Sequence, residues 1–249
     1  MSQAGAGGGP LVADPWLGGL LGRPAFRLAA PICDPACLTG AVFITAKVAC
    51  TDMARAFALQ DLGFRVVDTA LTFDAGRLDA PAADPRVRFA RPGDEAAVRA
   101  VAGQSFLYTR FHLDPVLPDA LAHRVKAEWA GNYFGGKRGD GMVVAEVDGA
   151  VAGFLQLLWD QQGRLVIDLI ATHPRATRRG LARAMIGFAQ ANGTGDARRP
   201  TGLLVGTQAA NIPSARLYEG LGLKFHGAAQ VLHHHGSAPG YSCPAETAS

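Results

Sequence analysis

Apolar residues in this chain recur at two spacings, and the switch between them marks out the elements. From Leu165 to Gln190 the sequence reads LVIDLIATHPRATRRGLARAMIGFAQ. Val166 to Ala171 is an apolar, β-branched run that predicts a buried strand, ended by Pro174. Leu181, Ala184, Met185 and Phe188 then fall at helical spacing. Earlier, Ala41–Val48 predicts a strand, and Met53–Leu62 a helix capped by Asp52 and stopped by Gly63. Phe64–Phe73 predicts a second strand, which completes a β-α-β unit. Asp74–Asp84 carries turn residues with little apolar periodicity and reads as a linker. Val87–Ala90 predicts a short strand, Asp94 caps a helix through Ala102, and another helix covers Asp119–Trp129. Met142–Val147 and Val151–Leu158 form a hairpin about Asp148-Gly149. Downstream of the central stretch come a strand at Gly202–Thr207, a helix between Asn211 and Gly222, and a last strand at Leu223–Leu232.

This pattern predicts an α/β chain with a mixed central sheet and helices on both faces. It divides the chain into a flexible leader (1–20), a small α/β half (21–78), a linker (79–85), a larger α/β domain (86–236) and a tail (237–249). Asp52–Phe64 and Asn211–Leu223 share one layout: an Asx cap, a helix, Gly at plus eleven, then a strand. On that register Leu59 matches Tyr218.

With 49% hydrophobic residues among 249, a sizeable core is available. No run of 18 apolar residues occurs and the start is not signal-like, so a cytoplasmic location and no membrane partner are expected. A net charge of +3 gives no electrostatic footprint for nucleic acid. Four cysteines make no disulfide framework, and the Cys33–Cys37 pair lacks a second pair for a metal. His233-His234-His235 alternate faces on a strand and read as its solvated end, so no metal is expected.

The chemistry concentrates where the central strand feeds a basic turn and the turn opens a helix. The first amides of a helix have no internal partner, and the helix dipole adds partial positive charge. Arg178 and Arg179 precede Gly180, which lets another group approach the backbone, and Ala182 keeps the first turn open. A pyrophosphate suits such a site. No Gly-Lys-Ser/Thr follows, so it is not a P-loop, and the three-glycine dinucleotide spacing is absent.

Thr177-Arg178-Arg179-Gly180-Leu181-Ala182 resembles the acyl-CoA loop of the GNAT superfamily of N-acyltransferases, with Thr177 in place of the usual Gln or Arg. Arg91-Pro92-Gly93-Asp94 after a strand resembles that family's opening. Asn211-x-x-Ser214-x-x-Leu217-Tyr218-x-x-x-Gly222-Leu223 resembles its second signature. The small N-terminal half then resembles a truncated GNAT unit that lacks the CoA loop. Val205-Gly206-Thr207-Gln208 and Phe106-x-x-Thr109-Arg110-Phe111 are similar to segments of the dTDP-fucosamine acetyltransferase subgroup.

The resemblance implies a GNAT fold, acetyl-CoA as acyl donor, no metal, and direct transfer to a small primary amine. It implies Tyr218 as general acid and makes Asp168 or His112 a candidate base beside an ordered water. Asp168 shares a strand and an alternation face with Ile170 and also reads as a buried arginine partner. For acetyl-CoA the implied contacts are Leu169, Ile170, Ala171, Thr172, Thr177, Arg178, Arg179, Gly180, Leu181, Ala182, Arg183 and Asn211. A backbone N–H near Leu169–Ala171 would stabilise the oxyanion. The acceptor side would use Tyr108, Arg110, His112, Asn132, Tyr133, Arg138 and Gln208, with Trp129 nearby. Aromatics there can stack on a sugar or base, and arginines can fork to a diphosphate. An aminodeoxysugar nucleotide of the dTDP-4-amino-4,6-dideoxyhexose type is the expected acceptor. Another amine (an amino acid, an antibiotic, a peptide N-terminus) and a non-catalytic acyl-CoA-binding module are the alternatives. Oligomeric state, a homodimer included, is left open.

Overall fold

The structure is a computed structural model; it describes residues 10–31, 38, 40–78 and 83–236. Residues 1–9, Cys33, Cys37, 79–82 and the tail 237–249 lie outside the described residues, so the readings made on them stand as expectations. The chain forms two compact units, one holding the residues through Thr69 and from Ala229 onward, the other Ala70–Ala228. This differs from a division at 79–85, because the end of the last strand pairs in the first unit.

The first unit contains β1 (Leu11–Ala13), α1 (Pro15–Leu21), β2 (Ala25–Leu28), β3 (Phe43–Ala49) and α2 (Met53–Asp61). The residues read as a flexible leader through position 20 thus include a strand and a helix. Asp14 caps α1 by accepting from the Leu17 amide at 2.9 Å, Pro15 opens its first turn, and Gly22 closes it at φ 67°. β2 runs parallel to β3, and Ala229–His235 runs antiparallel to β3. Leu59 of α2 joins Ile44, Ala46, Val48, Phe64 and Leu232 in the core. The three histidines are not a solvated end. His233 is 1% exposed against Phe43, with ring centres 4.7 Å apart, and His234 tilts over Phe64.

In the second unit the strand order is β4 (Arg65–Gly76), β9 (Gly202–Gln208), β8 (Leu165–Thr172), β7 (Ala150–Trp159), β6 (Gly141–Val147) and β5 (Val87–Phe89). β4 begins in the first unit and runs on to Gly76, pairing with β9, so the expected linker starts later than Asp74. Neighbours are antiparallel except β8 and β9, which gives the expected mixed sheet. Asp148 and Gly149 turn the β6–β7 hairpin with φ of 53° and 76°, the left-handed pair that a two-residue turn needs. Val143, Ala145, Leu155 and Leu157 face one core with α5 (Leu181–Asn192). Met142, Val144 and Phe154 face the other, with α3 (Glu95–Ser105) and the end of α4 (Asp119–Gly131). Residues of α6 (Ile212–Gly220) and the start of β10 (Lys224–His235) complete this unit. Asp94 does not cap α3 with its side chain. Its carboxylate accepts from the Arg91 amide and from Arg88, both at 2.7 Å.

Candidate functional site

β8 changes face at Asp168. Gln156 of β7 pairs with Leu169 and Leu157 with Ile167, so Asp168 is one residue too many, a β-bulge. Leu165 and Ile167 lie in the α5 core, whereas Leu169 and Ala171 lie in the α3 core. Ile170 packs against the α5 core. Asp168 bonds groups on the α4 side, so it does not share a face with Ile170 as strict alternation expects. The parallel pairing of β8 with β9 ends one residue earlier, at Ile167 and Val205. Beyond that point β8 follows β7 and β9 follows β4, and the two strands part.

A cavity of about 550 Å³ lies at this gap. Ile170, Ala171 and Thr172 line it from β8, Gln208 from β9, and Asn211 from the start of α6. Thr177, Arg178, Gly180, Leu181, Ala182 and Arg183 line it from the basic turn and the first turn of α5. Tyr108 faces it from the segment after α3. Arg178 and Gly180 both adopt left-handed backbone, at φ 63° and 77°. A Cβ on Gly180 would meet nothing within 4 Å, so the glycine answers to conformation and leaves open space before the helix. The first α-helical bond is made by the Ala184 amide to the Gly180 carbonyl. The amides of Leu181, Ala182 and Arg183 have no partner among the described residues. Successive amides beside left-handed residues make a concave anion site, and a pyrophosphate fits it. The Arg183 guanidinium donates to the Gly220 carbonyl at 2.9 Å, at the end of α6, so its charge is held by that helix terminus.

Other expected residues lie elsewhere. The Leu169 side chain is buried in the α3 core, and Arg179 does not line the cavity. Tyr218 is 2% exposed, packed in the core beside Phe73, and is not on the cavity wall. Its hydroxyl hydrogen-bonds Ser214, which is on the wall. Burial pushes its pKa above the ordinary phenol value, against a smaller opposing effect of Ser214. Tyr218 lies on α6 two turns beyond Asn211, but the motif spacing expects it to face the gap, and Pro213, Ser214 and Leu217 are the α6 residues that do.

Asp168 is a hub of acceptors. It receives Arg138 at 2.7 and 2.5 Å, Trp129 Nε1 at 3.0 Å and Gln156 Nε2 at 3.0 Å. Both oxygens of Asp168 are occupied by donors, and Arg138 is committed to it rather than presented to a diphosphate. The bulge, Gln156 and the indole were not legible as one cluster, because the register with β7 assembles them. Asn132 closes the turn after α4, its carbonyl accepting from Lys137 and Arg138, and Tyr133 packs edge-on against Phe134. Arg110 lies over the Phe111 ring, 4.8 Å from its centre. His112 bonds Thr109 at 2.7 Å and His123 at 3.2 Å. Burial, then the neighbouring His123, push it down to about 4, so it is neutral and weakly basic at pH 7. Asp168, Arg138, Asn132, Tyr133, Arg110 and His112 do not line the cavity.

Residues 107–223 match the model of the acetyltransferase (GNAT) family. A Bacillus subtilis relative, spore coat polysaccharide biosynthesis protein SpsD, is 30% identical over 131 residues, 53% of this chain and 44% of that protein. The chain therefore spans less than half the length of that relative. A GCN5-related N-acetyltransferase from Kribbella flavida superposes with a TM-score of 0.58 at 18% identity, covering 93% of this chain and 89% of that one. A GCN5-related N-acetyltransferase from Sphaerobacter thermophilus gives a TM-score of 0.53 at 14% identity over 79% of this chain and 60% of that one. A tandem GNAT protein from the clavulanic acid biosynthesis pathway gives 0.50 at 13% identity over 79% and 65%. These likenesses carry the fold, and the matched residues 107–223 include both the Gly180 turn and Asn211–Leu223. Members of that family use acetyl-CoA as acyl donor. The chain has the GNAT fold, and residues 107–223 are similar to the acetyltransferase (GNAT) family.

Proposed function

We propose that this chain transfers an acetyl group from acetyl-CoA to a small primary amine, an aminodeoxysugar nucleotide of the dTDP-4-amino-4,6-dideoxyhexose type. The observation that carries the reading is the parting of β8 and β9 after Ile167 and Val205, beside a helix start with unpartnered amides. A pyrophosphate on the amides of Leu181–Arg183 leaves the pantetheine arm to run into the gap as an added strand would. Backbone N–H groups of Leu169–Ala171 polarise the thioester carbonyl. Asn211 fixes the start of α6 by accepting from the Ser214 amide at 3.2 Å, and so sets Ser214 against the cavity. Ser214 relays a proton from the buried Tyr218 hydroxyl to the leaving thiolate. Tyr108 and Gln208 meet the acceptor at the wall. The similarity to the B. subtilis spore coat polysaccharide biosynthesis protein SpsD supports a sugar acceptor.

The first unit is proposed as a degenerate GNAT half. Asp52 and Asn211 cap helices of equal length, with bonds of 3.2 Å to Arg55 and to Ser214. Gly63 and Gly222 follow at φ 86° and 90°. No basic, glycine-opened turn precedes Asp52.

Free thiol release from acetyl-CoA, measured against nucleotide-linked aminosugars, amino acids, aminoglycosides and peptides, tests the reading. Release with the nucleotide-linked aminosugars is expected. Release only with another amine replaces the acceptor class. Tight acetyl-CoA binding with no release against any amine replaces the enzyme with a binding module.

A further inference from the structure

Lys126 on α4 is 8% exposed, while the other three lysines, Lys47, Lys137 and Lys224, are exposed. Its ammonium nitrogen sits 5.0 Å from the centre of the Phe106 ring and 4.5 Å from that of Trp129. Phe106 is part of the cavity wall, and Trp129 is bonded to Asp168 at the β8 bulge. Among the described residues no carboxylate makes an ion pair with Lys126. Lys126 itself is not on the cavity wall, but a buried lysine between two rings, one of them on that wall, with no ion-paired carboxylate among the described residues, is costly to keep for packing alone.

We propose that Lys126 is the general base that takes the proton from the acceptor amine, an inference that rests on the acetyltransferase reading. The amine nitrogen attacks the thioester carbon, a C–N bond forms and the C–S bond breaks. The proton lost by nitrogen passes to the neutral Nζ of Lys126 and from there to water, and the thiolate takes its proton through Ser214. The two other candidates are unsuited. Asp168 is filled by four donors, and His112 is a much weaker base. The surroundings favour the neutral amine. Burial comes first, and Arg110 and Arg138 repel a positive charge, with Asp168 opposing them, so Lys126 is brought down to about 7. Arg99, on the α3 side, is turned to Glu95 and Glu128. A base with that value is matched to neutral pH.

Two measurements on the full chain decide it. Trace labelling with isotopic acetic anhydride between pH 5 and 10, read by mass spectrometry, compares Lys126 with Lys47, Lys137 and Lys224. Half-maximal labelling of Lys126 near pH 7 is expected. A midpoint near 10, or no labelling at any pH, overturns the proposal whatever the acceptor is. With any amine that is turned over, kcat/KM of the wild type should fall tenfold per unit below pH 7. Lys126→Met, which keeps the packing between the rings, should lose at least tenfold in kcat at pH 7 and lose that acid limb, and Lys126→Arg should not restore either. An unchanged acid limb in Lys126→Met overturns the proposal. If the wild type releases CoA with no amine, the acetyltransferase reading fails, and the labelling still reports the state of Lys126.

Discussion

Arg138 donates to both carboxylate oxygens of Asp168, from Nε to Oδ2 at 2.7 Å and from Nη2 to Oδ1 at 2.5 Å. The pair is lopsided. The Asp168 side chain is 8% exposed and that of Arg138 40%. Asp168→Asn leaves Trp129, Gln156 and Arg138 facing a group with one acceptor oxygen, and should cost about 1–3 kcal/mol. Arg138→Ala removes a half-solvated charge and should cost about 1 kcal/mol or less. Urea denaturation of both variants measures the difference, and a larger loss for Arg138→Ala would refute the picture of Asp168 as the hub.

Gly180 controls donor binding. Asp at this position must take a left-handed backbone and adds a negative charge before the unpartnered amides of α5. Gly180→Asp should weaken acetyl-CoA binding by at least about tenfold, 1.4 kcal/mol, with the fold kept. Isothermal titration on a variant shown folded by circular dichroism is the check. Unchanged affinity would remove the pyrophosphate from this turn.

The proton route from Tyr218 makes a paired prediction. Tyr218→Phe keeps the ring against Phe73 and removes one hydroxyl, so stability should fall by about 0.5–1.5 kcal/mol. If the hydroxyl feeds the thiolate, kcat should fall about 10²–10⁴ with acetyl-CoA affinity held. Ser214→Ala cuts the link at the wall and should lower kcat in the same range. Full kcat in Tyr218→Phe with a loss in Ser214→Ala would make Ser214 and water the acid.

The strand–turn–helix around Gly180 and the capped helix after Asn211 are legible because their signals are local: β-branched runs, helical spacing, Asx caps and glycine stops. The bulge is not local. Leu165, Ile167, Leu169 and Ala171 alternate cleanly in sequence, yet two face one core and two the other, since only the register against Gln156 and Leu157 exposes the extra residue. The burial of His233 has the same origin, for Phe43 comes from a strand almost 200 positions away. α1 was readable in principle. Asp14-Pro15 and Gly22 are ordinary start and stop signals, overshadowed by the glycines before them. Lys126 carries no motif at all, because its character comes from Phe106 and Trp129 on either side.

His112 supplies a pH dependence of stability. Its ring meets Thr109 on one nitrogen and His123 on the other, with the two imidazole centres 4.7 Å apart. Burial and then His123 bring its pKa from 6.5 down to about 4 in the folded chain. The folded value is the lower one, so the unfolded chain binds the proton first as pH falls. The stabilising contribution is complete above about pH 6.5 and is lost between there and about pH 4. Solvent reaches this half-buried ring, so the loss should be shallower than the shift alone would give. His112→Gln, which can still bond Thr109, should flatten the fall in Tm over that interval, while His234, pushed down by its own burial, keeps its share. Below pH 4 a second fall should persist in both proteins, because Arg88 holds Asp94 below the usual carboxylate value and protonation releases that pair. Thermal melts of wild type and His112→Gln at half-unit steps from pH 3 to 8 provide the measurement. Superimposable profiles above pH 4 would show that His112 is not the group whose protonation is resisted.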